Sequence, residues 1–291
     1  MSSVVDEWVT VVARVAADRA DLVAGRLWDA GVAGVEERTC SGGEIELRAG
    51  TTSAGLAGAV AAIADDGAVV LEPVDSDAGL DCWREYARSW RAGSRIVVVP
   101  AWQSCPGWVG ADDIAVRIDP GHAFGSGAHP TTRMCLTELE RLVDPDAAVA
   151  DVGCGSGVLA VAAARLGASL VAAVDVDPEA VRATAENAER NGVAAVVAAS
   201  DTPVEEFEPA AFDLVVANMS SCTLVALAPA LTRAVADDGT VVLSGLLECQ
   251  KDAVLAAFVG LGFELTGTLA EEEWRTLLLA RASSPGAPTP A

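Results

Sequence analysis

Gly153, Gly155 and Gly157 stand at alternate positions after the apolar run Val149-Ala-Asp-Val and before a helix-forming stretch that begins Val158-Leu-Ala. An apolar run ending in Asp151 reads as a buried parallel strand. Glycines directly after it let the backbone turn sharply and approach a ligand lying over the strand's carboxyl end. The spacing is GxGxG. A dinucleotide fingerprint needs GxGxxG, and its sixth position here is Val158. A second acid, Asp175, ends the next apolar run, Leu170–Val174, where a carboxylate can accept both hydroxyls of a ribose. The pair of motifs suits S-adenosylmethionine (AdoMet) better than a dinucleotide, since AdoMet has no pyrophosphate to be met by a third glycine and a helix N-terminus. Asp201, just past a short strand expected at 194–198, can accept a hydrogen bond from an adenine amino group.

A second cluster precedes the glycine turn: Asp119-Pro-Gly-His122-Ala-Phe124-Gly-Ser-Gly127-Ala-His129-Pro-Thr131-Thr132. It leads into a helix expected over 131–142, with Thr131 or Thr132 as its cap. Two histidines seven apart, without a nearby Cys or further His, fall short of a metal site. The run Phe212–Asn218 reads as a fourth strand ending in an amide side chain.

These residues need a scaffold that delivers them to one edge, and the alternation of patterns supplies it. A helix over 157–166, a strand over 170–174 and a helix from Asp177-Pro178 to Arg190, stopped by Asn191-Gly192, follow the glycine turn. Then come the strands at 194–198 and 212–218, a helix at 223–236, a turn at Asp237-Asp-Gly239, a strand at 240–245, a helix at 248–260 and paired strands at 263–269 and 274–281. The expected fold class is α/β, a doubly wound sheet of about seven strands with an antiparallel last pair. Ahead of it, residues 8–73 spell strand, helix, strand, strand, helix, strand, the order of a ferredoxin-like α+β domain. The expected organisation is residues 1–73 as a recognition domain, 74–118 as a tryptophan-bearing middle segment, 119–282 as the catalytic domain and 283–291 as a disordered tail. In the middle segment Trp83 and Trp90, seven apart, are expected on one face of a helix.

The chain has 42 acidic and 19 basic residues, a formal charge of -23. That average field repels a bare nucleic-acid backbone and attracts a basic protein, so no direct nucleic-acid partner is expected. Seven cysteines, odd in number and without CxxC spacing, point to free thiols in a reducing compartment and to no metal site. With neither a signal-type N-terminus nor a long uncharged apolar run, the expected location is cytoplasmic, away from membranes.

On these motifs the chain resembles the ribosomal protein L11 methyltransferases, the PrmA family of class I AdoMet-dependent methyltransferases. The order of small domain, Trp-bearing segment and catalytic domain is the family's. The segment from Asp119 to Thr132 is close to its signature DPGxAFGTGxHPTT, with Ser126 keeping a hydroxyl in place of Thr. Asp151-Val-Gly-Cys-Gly-Ser-Gly157 and Asp175-Val-Asp-Pro178 look like its first two cofactor motifs. The resemblance implies cofactor contacts at Thr132, Gly153, Gly155, Asp175 and Asn218, with Asn218 also orienting the acceptor amine. It further implies methylation of amino groups, N-terminal and lysine, of a basic ribosomal protein held by the small domain. Where the family usually reads Asn-Ile-Leu-Ala, this chain has Asn218-Met219-Ser220-Ser221. The same scaffold acting on a small molecule or peptide, with Ser220 and Ser221 lining a polar acceptor pocket, is the alternative reading.

Overall fold

The structure, a computed structural model, describes residues 8–32, 34–40, 43–52, 55–64, 69–73, 87–120 and 128–282. Two compact units divide the chain, residues 1–82 and 83–291.

In the first unit, β1 (Trp8–Ala16), α1 (Ala20–Asp29), β2 (Gly34–Thr39), β3 (Glu44–Thr52), α2 (Leu56–Ile63) and β4 (Val69–Pro73) follow one another. Their sheet runs β2-β3-β1-β4, antiparallel throughout, the ferredoxin-like arrangement. Strand alternation sends Val11, Ala13 and Val15 of β1 and Leu47 and Ala49 of β3 into a core shared with Leu27 of α1 and Ile63 of α2. On the other face the register sets Arg14 opposite Glu46, with Nε 3.1 Å from Oε2.

The second unit opens with β5 (Trp90–Ala92), β6 (Ile96–Pro100) and β7 (Ile114–Ile118), a three-stranded sheet in that order. Trp90 therefore stands on a strand rather than a helix. The short strand wins because Trp90 and Ala92 pair with Val98 and Ile96, and the burial of Ala92 alternates with the exposure of Arg91. Trp83 lies outside the described residues.

Next come α3 (Pro130–Leu142), β8 (Ala148–Val152), α4 (Val158–Leu166), β9 (Leu170–Val174), α5 (Pro178–Arg190), β10 (Val197–Ser200) and β11 (Phe212–Asn218). The unit ends with α6 (Ser221–Ala234), β12 (Val235–Leu247), α7 (Lys251–Val259), β13 (Phe263–Glu271) and β14 (Trp274–Arg281). The large sheet has seven strands in the order β10-β9-β8-β11-β12-β14-β13. The first five are parallel, and β14 is antiparallel to both of its neighbours. This is the expected doubly wound architecture.

Its central strands bury both faces, as parallel strands between helices must. Val216 joins a core with Leu136 of α3, Leu159 of α4 and Val98 and Val116 of the small sheet, while its neighbour Val215 faces Leu231 of α6 and Phe258 of α7. Strand β12 starts earlier than its sequence pattern indicates. Val235 pairs with Phe212, and pairing resumes at Thr240 opposite Leu214, so the Asp237-Asp-Gly239 segment is a bulge within a strand rather than a turn before one. Among the described residues no helix is long and apolar enough to cross a membrane.

Candidate active site

The chain leaves β8 and runs out to β9 and β10, then returns to β11 on β8's other side. That reversal opens a crevice over the carboxyl end of β8, the place where such sheets bind ligands. The three glycines occupy it with φ of 75°, 54° and 76°, a region open to glycine at little cost. The turn is tied to the next strand: the N–H groups of Gly153 and Cys154 both donate to the Val174 carbonyl, at 2.8 and 3.1 Å. Gly155 N–H donates to Asp175 Oδ2 at 2.9 Å, and Asp177 N–H to Asp175 Oδ1 at 3.0 Å. Each Asp175 oxygen keeps a second lone pair.

Asp151, 1% exposed, caps the first turn of α4 by accepting from Ala160 N–H at 2.9 Å. Its Oδ1 is buried with no hydrogen-bond partner among the described residues. Burial pushes its carboxyl up to about 7, and the nearby charge of Asp175 adds to the rise.

Beside the turn lies a pocket of about 280 Å³ whose lining includes Gly153, Asp175, Asp201, Val204, Met219 and Leu227. Gly153, Asp175 and Asp201 thus line one pocket. Gly155 stands one step behind them, its N–H committed to Asp175. Met219 lies across the turn, so close that a Cβ on Gly153 would sit 2.6 Å from its Cε.

The second cluster arrives on α3. The helix begins at Pro130, one residue earlier than expected, because proline's fixed φ suits the first helical position. The cap is consequently His129, whose Nδ1 accepts from Thr131 N–H at 3.4 Å and lies 2.8 Å from Thr131 Oγ1. Thr131 and Thr132, relieved of capping, are 2% and 3% exposed. Asn218 Nδ2 donates to Thr132 Oγ1 at 3.3 Å, which joins the start of α3 to the end of β11. Buried Ser244 on β12 supports this junction, its Oγ donating to the Thr131 carbonyl at 3.3 Å and lying 2.6 Å from Thr276 Oγ1. His129 meets Trp274 edge to face, ring centroids 4.7 Å apart. His122, Phe124, Ser126 and Gly127 lie outside the described residues.

Ser220 is the N-cap of α6, its Oγ accepting from Thr223 N–H at 3.4 Å. The hydroxyl at this departure from the family pattern therefore has a local structural use. Sequence reasoning noted Met219 only as part of the departure after Asn218, and did not find Leu227 or Trp274 as parts of the site. Only the tertiary fold brings them there, since none carries a motif. It also passed over Thr184 and Asn187, two polar residues at helical spacing on the otherwise small, apolar inner face of α5.

The chain is similar to curated proteins named ribosomal protein L11 methyltransferase. The one from Citrifermentans bemidjiense is 48% identical over 201 residues, covering 67% of this chain and 64% of that protein. The one from Dechloromonas aromatica is 50% identical over 170 residues, covering 58% of this chain and 54% of that protein. The match thus spans less than two thirds of the length of each of these relatives. A solved structure of the ribosomal protein L11 methylase from Lactobacillus delbrueckii subsp. bulgaricus aligns with 68% of this chain and 100% of its own, at TM-score 0.62 and 33% identity. The family model for ribosomal protein L11 methyltransferase (PrmA) matches residues 50–282, and the chain belongs to that family.

Proposed function

We propose that this chain is an AdoMet-dependent N-methyltransferase that methylates amino groups, N-terminal and lysine, of ribosomal protein L11. The observation that carries the reading is the bond between Asn218 and Thr132, which sets the end of β11 and the start of α3 beside the glycine pocket. The residues present fit AdoMet. The turn at Gly153 is faced only by the movable tip of Met219, Asp175 retains acceptor capacity for a ribose, and Asp201 stands on the same pocket for an adenine amino group.

Gly153, Gly155, Asp175, Thr132 and Asn218 would hold the cofactor, which when bound supplies an electrophilic methyl group on a positively charged sulfur. The chain's own part is to place a neutral amine in line and to strip water from it, so proximity and orientation provide most of the acceleration. With Nδ2 engaged by Thr132, Asn218 uses Oδ1 to accept from the amine and aim its lone pair. On this reading residues 1–73 hold the ribosomal protein, residues 74–118 connect, and residues 119–282 carry out the transfer. The enzyme works in the cytoplasm on a basic protein, with no membrane or direct nucleic-acid partner.

The test is transfer of a labelled methyl group from AdoMet to purified L11, followed by mass analysis of the labelled positions. Label on the N-terminal or lysine amines is the expected result. No label, with AdoMet binding intact, would move the acceptor to a small amine or peptide on the same scaffold.

A further inference from the structure

Helix α5 grips the glycine turn through side chains that are not among those lining the pocket. Thr184 and Asn187, both 0% exposed, stand among Ala180, Ala183 and Ala188 on the helix's inner face. Thr184 Oγ1 donates to the Gly155 carbonyl at 3.1 Å, and Asn187 Nδ2 to the Ser156 carbonyl at 2.8 Å. Two consecutive carbonyls of the turn are thereby held by α5. The approach is close, since a Cβ on Gly157 would come within 2.9 Å of the Thr184 Cα.

Asn187 reaches further. Its Nδ2 also donates to the Asp119 carbonyl at 2.9 Å, and its Oδ1 accepts from Asp119 N–H at 3.0 Å and from the Arg190 guanidinium. Both amide hydrogens and both lone pairs are used. One helical turn on, Asn191 makes the same double contact two residues back along the strand, accepting from Arg117 N–H at 2.8 Å and donating to the Arg117 carbonyl at 2.7 Å. The match is geometric. Four residues of helix rise about 6 Å, and two residues of strand advance about 6.6 Å. Two side-chain amides thus pair with the open edge of β7 and its continuation as a neighbouring strand would. Of the two, only Asn187 also holds the glycine turn.

We propose that Thr184 and Asn187 are positioning residues for the cofactor: they fix the orientation of the glycine turn and lock it to Asp119, where the second motif begins. The proposal rests on the AdoMet reading above, which the wild-type protein tests separately. A carbonyl released from its donor inside the protein must find another partner, and the turn rotates to supply one.

The experiment is AdoMet affinity by calorimetry, with thermal unfolding measured in parallel, on the full chain and four variants. Thr184→Val removes only the hydroxyl at equal volume, and Asn187→Ala removes the amide. Both are expected to weaken AdoMet about tenfold. Thr184→Ser keeps the donor and is expected to stay within about threefold of wild type. Asn191→Ala breaks a similar set of part-buried bonds away from the turn, and is expected to lower the melting temperature while leaving AdoMet affinity within about twofold. Thr184→Val keeps the test alive if Asn187→Ala does not fold. Equal AdoMet affinity in wild type and Thr184→Val would overturn the proposal, and so would equal weakening by Asn191→Ala. A wild-type protein that binds no AdoMet would overturn the AdoMet reading itself.

Discussion

Asn218 and Thr132 lie 86 residues apart in sequence and share one hydrogen bond, Nδ2 to Oγ1 at 3.3 Å. The bond engages Nδ2 and so decides which end of the amide is left to accept, Oδ1. On the proposed reading Asn218→Ala removes the acceptor for the amine, and it is expected to lower turnover by roughly two to three orders of magnitude, the scale on which misplaced reactants cost rate. Thr132→Val leaves the acceptor but frees the amide to rotate, and a loss of about tenfold is expected. Single-turnover methyl transfer with saturating AdoMet checks both. Near-normal turnover in Asn218→Ala would remove that residue from the reaction.

Glycine positions in the turn should respond unequally to a methyl group. At Gly153 the obstacle is the far end of Met219, which can swing aside, so Gly153→Ala pays chiefly the left-handed backbone cost of about 1–2 kcal/mol. At Gly157 the methyl meets Thr184 down to its Cα, so the same change adds an overpacking cost of about 1–3 kcal/mol. Urea unfolding of the two variants should rank Gly157→Ala as clearly the less stable. Equal midpoints would mean that α5 yields as easily as a methionine tip.

Asp151 makes stability depend on pH in a stated direction. Its carboxyl titrates at about 7 in the fold against an ordinary 3.8, because burial disfavours the charge. Between those values the folded form keeps a proton that the unfolded chain has released. The stabilisation is therefore full below about pH 4 and lost as pH rises through about 7, with a slope of at most about 1.4 kcal/mol per pH unit. The groups around it are Asp175, Cys135 and Cys154, and both thiols are pushed up to about 12 by burial. Asp151→Asn should flatten the dependence of the urea midpoint on pH between about 4 and 7. An unchanged slope in the variant would assign the titration to another group.

The net charge of -23 should be visible in rates. Encounter with a basic protein is accelerated by the opposite field and slowed once the screening length falls to about 10 Å, near 0.1 M salt. The expected outcome is a kcat/KM for L11 that falls with ionic strength while AdoMet affinity stays nearly constant. Salt-independent kcat/KM would confine the acidity to solubility.

Much of this arrangement is written in local pattern. Asp177-Pro178 opens α5 with the cap that its sequence calls for, Asp177 Oδ1 accepting from Glu179 N–H at 2.9 Å, and Leu170–Val174 is the strand its apolar run describes. The glycine turn and Asp175 meet because consecutive parallel strands lie side by side. What escaped is set by the partner each segment meets rather than by its own pattern. Trp90 joins a strand because Val98 is there to pair with it, Asp237 and Asp238 bulge because β12 must rejoin Leu214, and Met219 reaches Gly153 only after β8 and β11 have become neighbours. His129 took the cap from the threonines for a local reason, the proline beside it, which a closer reading of the helix start would have found.

The position of β14 has a consequence for synthesis. Among the described residues it is the last strand, and it lies between β12 and β13, with Leu277 and Leu279 fully buried. Until residues 274–281 leave the ribosome, β12 carries an unpaired edge and β13 has no place in the sheet. The unit can collapse around β8 to β12 as they form, but the sheet closes only when β14 is inserted between two strands that precede it in sequence.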